Sequence, residues 1–217
     1  MPHPFHPDDF PINQDVTLQP TQVFYLKGAI HFKTNSQIYE LTGRLRQHWD
    51  NFSHAFLDET GEVVRKLAEG GAPPKYEIAS SGNMMRTLKT MKDAAGNKVC
   101  DLNMTFVSFD SSTVRFPPGS EHSRHQIELC PVGDKGTDEA KHEAFVKNSI
   151  PYFWDMTHGR VGILYKCLNQ TRVEIARVAG FGFDKDAVLV LNGNELDDAV
   201  AISTCIILLN GRDAMDA

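Results

Sequence analysis

Between Glu195 and Asn210 the chain reads ELDDAVAISTCIILLN, a helix-length run with no polar face after its first turn. On a helix, Ala199, Val200, Ala201, Ile202, Cys205, Ile206, Ile207, Leu208 and Leu209 would point all the way round, so no stripe is left for water and the segment must be enclosed. At about 1.5 Å per residue the run spans roughly 24 Å, short for a membrane crossing and long enough to thread a small β-barrel. Its ends carry helix signals: Asn194 at the N-cap position, Glu195, Asp197 and Asp198 in the first turn, and Gly211 where a left-handed terminal residue belongs. These signals outweigh the β-branched content, which alone would favour a strand.

The rest of the chain supplies the sheath. After a proline-rich stretch over residues 1–21, read as an extended arm, short apolar runs of two-residue alternation follow one another from Val23, separated by Gly, Asn, Asp and Pro. Residues 22–217 are therefore read as a single β-barrel domain. Tyr39, Leu41, Gly43 and Leu45 line one face of a half-buried strand, opposite Glu40, Thr42 and Arg44. Ser53 to Leu57 and Val63 to Leu67, flanking a polar loop that contains Gly61, predict a hairpin. Met84 to Met91 and Val99 to Phe109 predict another around Asp93–Asn97, and Val161–Cys167 and Val173–Val178 a third around Asn169-Gln170. The charged segment from Asp134 to Lys147 reads as a loop with a surface helical turn.

Composition bounds the function. A formal net charge of −6 speaks against broad nucleic-acid binding, which depends on clustered Lys and Arg. MPHPFHPDDFPINQD has no basic segment followed by an apolar run, so neither a secretory leader nor a transmembrane anchor is expected, and the chain is placed in the cytoplasm, in the nucleus or at a membrane periphery. Cys100, Cys130, Cys167 and Cys205 are widely spaced within apolar segments, which suits buried thiols better than a disulfide framework or a metal site. Neither a cofactor nor a metal is expected.

Three groups of side chains are candidates for a site. In a strand over Glu121–Glu128, His122, Arg124, Gln126 and Glu128 would share one face; the row could hold an anionic or carboxylate-bearing ligand, or supply acid/base groups from His122, Arg124, His125 and Glu128. A plain solvated face explains the same row, and His125, alternating with Ile127 and Leu129, could be a core histidine. Arg86, Lys89 and Lys92 form a basic stripe able to meet phosphate headgroups, although strand alternation sends Lys89 to the opposite face from the other two. Trp49 and Trp154, with neighbouring aromatic residues, could line a ligand pocket at a barrel mouth or serve the core. Asn192, Asn194, Glu195, Asp197 and Asp198 suggest a calcium loop at first glance, but their spacing fails the EF-hand pattern and helix capping accounts for them.

The closing pattern AVLVLNGNELDDAVAISTCIILLN at 187–210, the pair GILYKCLNQTRVEIARVAGFG at 162–182 and, more loosely, PYFWDM at 151–156 resemble the tubby C-terminal-like superfold. Phospholipid scramblases, LURP-one-related proteins and a group of small fungal proteins share that superfold, and the fungal group is the nearest in pattern. The resemblance implies a mainly β fold, a closed antiparallel barrel of about twelve strands around a central hydrophobic C-terminal helix. It transfers neither a Lys/Arg phosphoinositide pocket nor a calcium-binding segment. The functional expectation is a non-catalytic barrel that binds a membrane lipid, a small apolar ligand or a protein partner, with a small-molecule enzyme built on His122–Glu128 as the alternative.

Overall fold

In the computed structural model, residues 5–29, 35–82, 86–105, 111–133, 140–158, 161–181 and 186–213 are described, with side chains except at 82, 86, 140, 141, 158, 181 and 211–213. Twelve strands close into an antiparallel barrel: β1 (Gln22–Lys27), β2 (Ser36–Glu40), β3 (Tyr76–Gly82), β4 (Arg86–Asp93), β5 (Lys98–Thr105), β6 (Ser112–Arg115), β7 (Ile127–Gly133), β8 (Ala140–Lys147), β9 (Ile150–His158), β10 (Val161–Leu168), β11 (Thr171–Phe181) and β12 (Asp186–Leu191). Neighbours in the chain are neighbours in the sheet, and β1 completes the ring against β12 in a register that sets Gln22 opposite Leu191 and Leu26 opposite Ala187. Helix α1 (His54–Glu69) stands outside, and helix α2 (Asp198–Asp213) follows the last strand.

Helix α2 fills the lumen. Ala199, Val200, Ala201, Ile202, Cys205 and Ile206 are wholly buried, and they form one continuous core with the inward side chains of the strands, among them Phe24, Ile38, Met91, Leu102, Leu129, Trp154 and Leu189. The polar residues of the helix find internal partners. Ser203 Oγ and Thr204 Oγ1 donate back to the Val200 carbonyl, and Thr204 Oγ1 accepts from the Trp154 indole at 3.1 Å. Asn210 Nδ2 donates to the carbonyls of Ala29 and Ile206 while its Oδ1 accepts from Lys89 Nζ at 3.2 Å. Where β10 passes the helix only glycine fits: a Cβ on Gly162 would lie 2.9 Å from both Met156 Sδ and Val178 Cγ1, and 3.3 Å from Leu208. The helix begins at Asp198 rather than Glu195 and continues through Gly211 to Asp213, so Gly211 does not end it.

Strand β12 is apolar throughout because both of its faces are covered. Ala187, Leu189 and Leu191 join the lumen, whereas Val188 and Val190 pack outside with Tyr25, Tyr39, Leu41 and the α1 residues Phe56 and Val64. The hairpin expected between Ser53 and Leu67 is therefore replaced by a helix. Ser53 Oγ accepts from the Phe56 amide as an N-cap, and Phe56, Thr60 and Val64, at a spacing of four, form its buried stripe. Gly61 sits inside that helix, an interruption that costs about 1 kcal/mol relative to alanine and is tolerated.

Two further readings change. The strand expected through Tyr39–Leu45 ends at Glu40, although Tyr39 and Leu41 are buried as anticipated. The loop expected over Asp134–Lys147 contains strand β8 from Ala140, paired with β7 and β9, and residues 134–139 lie outside the described residues. Its inward Glu143, opposite Trp154, hides the alternation that would mark it as a strand. The hairpins β4–β5 and β10–β11 stand around Asp93–Asn97 and Asn169-Gln170, the outer parts of the first expected pair, residues 84–85 and 106–109, lying outside the described residues. The arm runs round the outside of the barrel. Ile12 bridges to Arg172, Phe5 and Phe10 pack on Phe153, Ala144, Val132 and Cys167, and the His6 ring lies 2.8 Å from the Gly133 carbonyl.

Two expectations follow from the lumen. Ile206→Asp would bury a charge against α2's apolar surroundings and is expected to abolish the cooperative thermal transition, while Ile206→Ala costs about 2–5 kcal/mol in urea denaturation. Burial also pushes the half-buried Glu143 carboxyl up from 4.5 to about 7. Between those values the folded chain keeps a proton that the unfolded chain releases, so stability is full below the lower pH and falls as pH rises to the upper one, by at most about 3 kcal/mol. Glu143→Gln should flatten that part of the stability profile; an unchanged slope would place the carboxyl in water.

Candidate functional site

The end of the barrel where α2 enters is a collar of paired charges. Asp197 caps the helix, its Oδ1 accepting from the Val200 amide at 3.2 Å and its carbonyl from the Ala201 amide at 3.0 Å. Asp198 accepts from Lys75 Nζ at 2.6 Å and from the Tyr76 hydroxyl at 3.1 Å, and the same ammonium lies 2.8 Å from Glu40. Burial alone would lower the Lys75 ammonium, but its hydrogen bonds to Asp198 and Glu40 hold it above the ordinary lysine range. Glu195 pairs with Lys166 at 2.8 Å. The acidic residues of this segment thus serve as a cap and as partners of lysines, and no group of three or more metal-ligating side chains occurs among the described residues.

Beside this collar lies a cleft of about 1030 Å³, walled by the loop Gly119–Gln126 on one side and by the β8–β9 turn, Val146–Ser149, on the other. The loop starts at Pro117-Pro118-Gly119, where Gly119 takes a φ of 79° and turns the chain away from β6. The opposite turn is tight, with Asn148 and Ser149 both at positive φ, 52° and 64°. Within the cleft wall, His122 Nδ1 lies 3.0 Å from each Asp197 carboxylate oxygen. A carboxylate can only accept, so Nδ1 carries a proton, and Nε2 is an acceptor whenever the ring holds no second one. The ring also packs against Phe116, with centroids 5.7 Å apart.

The cationic groups of the cleft differ from those of the collar. Arg124, exposed, and Lys147, half-buried, both line it, and neither has a hydrogen-bond or ion-pair partner among the described residues. Burial lowers the Lys147 ammonium below the ordinary lysine range, against the opposing pull of Asp197. Glu121 and His125 add to the polar lining, and the exposed Val146 contributes an apolar surface.

Sequence expectations meet this geometry unevenly. His122, Arg124 and His125 do come together, but on a loop and not along a strand, since β7 starts only at Ile127. His125 is exposed and is not a core histidine; Ser123 turns inward instead, donating to the His125 carbonyl at 2.8 Å. Glu128 lies on β7, exposed, and does not line the cleft. In the basic stripe, Lys92 is exposed whereas Lys89 is fully buried in the lumen, where burial lowers it to about 8; the side chain of Arg86 lies outside the described residues. Lys89 therefore belongs to no surface patch. Trp154 is core, and Trp49 packs outside the barrel beside Phe52, with the Arg177 guanidinium 5.8 Å from its ring. Neither tryptophan lines the cleft. Sequence pattern marks neither Asp197 nor Lys147 as a site residue, since capping accounts for the first and the second falls in a segment that reads as a loop. The thiols are poor nucleophiles where buried: desolvation pushes Cys100 and Cys167 up to about 12.

No family model and no curated protein matches the chain. A solved structure of a protein from Arabidopsis thaliana is similar at a TM-score of 0.44 and 13% identity, over 88% of this chain and 91% of that one. Likeness at that level carries no argument about activity. No helix among the described residues is long and apolar enough to cross a membrane.

Asp197 joins the helix cap to the cleft, and its two tasks separate by substitution. Asp197→Ala, losing both, is expected to lower stability by about 1–2 kcal/mol in urea denaturation, whereas Asp197→Asn, which still caps, should lose about half as much. Equal losses would mean that the cap contributes nothing.

Proposed function

We propose that this protein is a non-catalytic binding barrel of tubby C-terminal-like kinship, whose ligand seats in the rim cleft. One observation carries the reading: α2 occupies the lumen, so a ligand has to bind from outside, and the cleft offers about 1030 Å³ lined in part by Arg124 and Lys147, which have no hydrogen-bond or ion-pair partner among the described residues. A lipid, a small apolar ligand or an extended segment of a protein partner fits a cleft of that kind. The net charge of −6 argues against nucleic acid. The kinship is supported by the enclosed helix and by the resemblance in the closing segment.

A second reading has its own support. A histidine held by a carboxylate at Nδ1, with Nε2 unpaired among the described residues, is the arrangement a general base requires, and His122 has it. Against it stands the lack of a Ser, Thr or Cys hydrogen-bonded to that ring among the described residues, which leaves the histidine no protein nucleophile to activate.

Native mass spectrometry of the full chain, after incubation with a lipid and metabolite extract, distinguishes these readings. An adduct is expected, lost in Ser149→Trp, which obstructs the cleft, while the melting temperature is kept. An adduct that survives Ser149→Trp and disappears in Lys92→Glu would move the site to the outer face of β4. Turnover of the bound compound by the native chain but not by His122→Gln would replace binding with catalysis.

A further inference from the structure

We infer that the rim cleft recognises a monocarboxylate with an apolar body, such as a fatty or aryl acid, through Arg124 and Lys147; this rests on the cleft being the ligand site. Charge pairing sets the cleft apart. Around the mouth of the barrel the lysines of the collar are matched, Lys75 to Asp198 and Glu40, Lys166 to Glu195. Arg124 and Lys147 break that rule: both line the cleft, and neither meets a carboxylate among the described residues. Lys147 is half-buried and feels Asp197 without touching it, and an ammonium partly withdrawn from water with no ion-pair contact among the described residues is stabilised by whatever anion enters beside it.

Charge sets the class of anion. Arg124 and Lys147 are positive, Glu121 and Asp197 are negative, and a neutral His122 ring leaves the Asp197 charge in place, so with neutral imidazoles the four charges cancel. One carboxylate is then the smallest anionic load that engages both cations. A phosphate monoester, with close to two negative charges, doubles that load and would require both His122 and His125 to be protonated to offset it. Guanidinium and carboxylate also match in shape, since the planar fork of Arg124 presents parallel N–H donors to two oxygens.

The apolar half of the ligand has a place too. Val146, exposed on the strand end that forms one wall, has no covering side chain of its own, and an alkyl or aryl group laid on it would remove that surface from water. With Nδ1 held by Asp197, Nε2 of an unprotonated His122 is an acceptor, suited to a hydroxyl or a water bridging to the carboxylate rather than to a second anion.

The probe is sodium octanoate, titrated into the full chain by isothermal calorimetry and by NMR of the histidine ring protons, with octanol, octyl phosphate and acetate as comparisons. Saturable octanoate binding is expected, with His122 and His125 signals moving together, weaker binding of the three comparison compounds, and at least about a tenfold loss of affinity in Arg124→Ser/Lys147→Ser at unchanged melting temperature. Octanol binding as tightly as octanoate, octyl phosphate binding more tightly, or an affinity unaffected by the double substitution would each overturn the carboxylate assignment. So would the absence of octanoate binding up to millimolar concentration. If the comparison compounds bind and Ser149→Trp abolishes that binding, the cleft remains the ligand site and only the ligand class is wrong. If Ser149→Trp leaves all binding intact, the cleft itself is excluded.

Discussion

An apolar helix cannot stay in water, and the barrel of this protein is built around that constraint. Every face of α2 between Ala199 and Leu209 is buried, so the strands have to surround it and their inward residues have to match its outline. The match shows at individual positions: Gly162 gives Leu208 room, Trp154 brings its indole N–H to Thr204, and Lys89 ends on Asn210. The polar side chains of the helix lie in the lumen where a partner awaits them, as the cost of burying an unsatisfied group requires. The N-terminal end of the helix emerges acidic, and the rim supplies Lys75, His122 and Lys166 to meet it.

How far the sequence discloses this architecture depends on which force shapes each segment. The enclosed helix is legible because no other environment suits its composition, and β12 is legible for a related reason: a short apolar run bounded by a turn is buried on both faces. The hairpins at Asp93–Asn97 and Asn169-Gln170 are announced by turn chemistry. Helix α1 is not, because Gly61 imitates a turn and its stripe, Phe56, Thr60 and Val64, contains a threonine where an apolar residue would have declared the period. Strand β8 is obscured by an inward glutamate. In both cases tertiary contact decides what local pattern leaves open.

The candidate site was legible as a set of residue types and not as a geometry. His122, Arg124 and His125 stand out in the sequence, yet the strand alternation applied to them has no bearing on a loop that leaves β6 at Pro117-Pro118-Gly119. Lys147 and Asp197 lie far from them in the chain and reach the cleft only because β8 ends at the rim and α2 begins there. The filled lumen explains why a cleft of this kind sits where it does: with the interior taken by the chain's own helix, the irregular connections at the rim are the places where shape and charge remain free to vary.

The order of elements along the chain also governs how the molecule comes into being. The plug follows all twelve strands, and the ring closes by pairing the first strand with the last. A ribosome therefore releases the greasy inner sides of the staves before it releases the stopper that dries them. Contacts so distant in sequence form slowly. Until they do, the nascent sheet carries sticky surface and two open edges, and the cell has to shelter it through that interval.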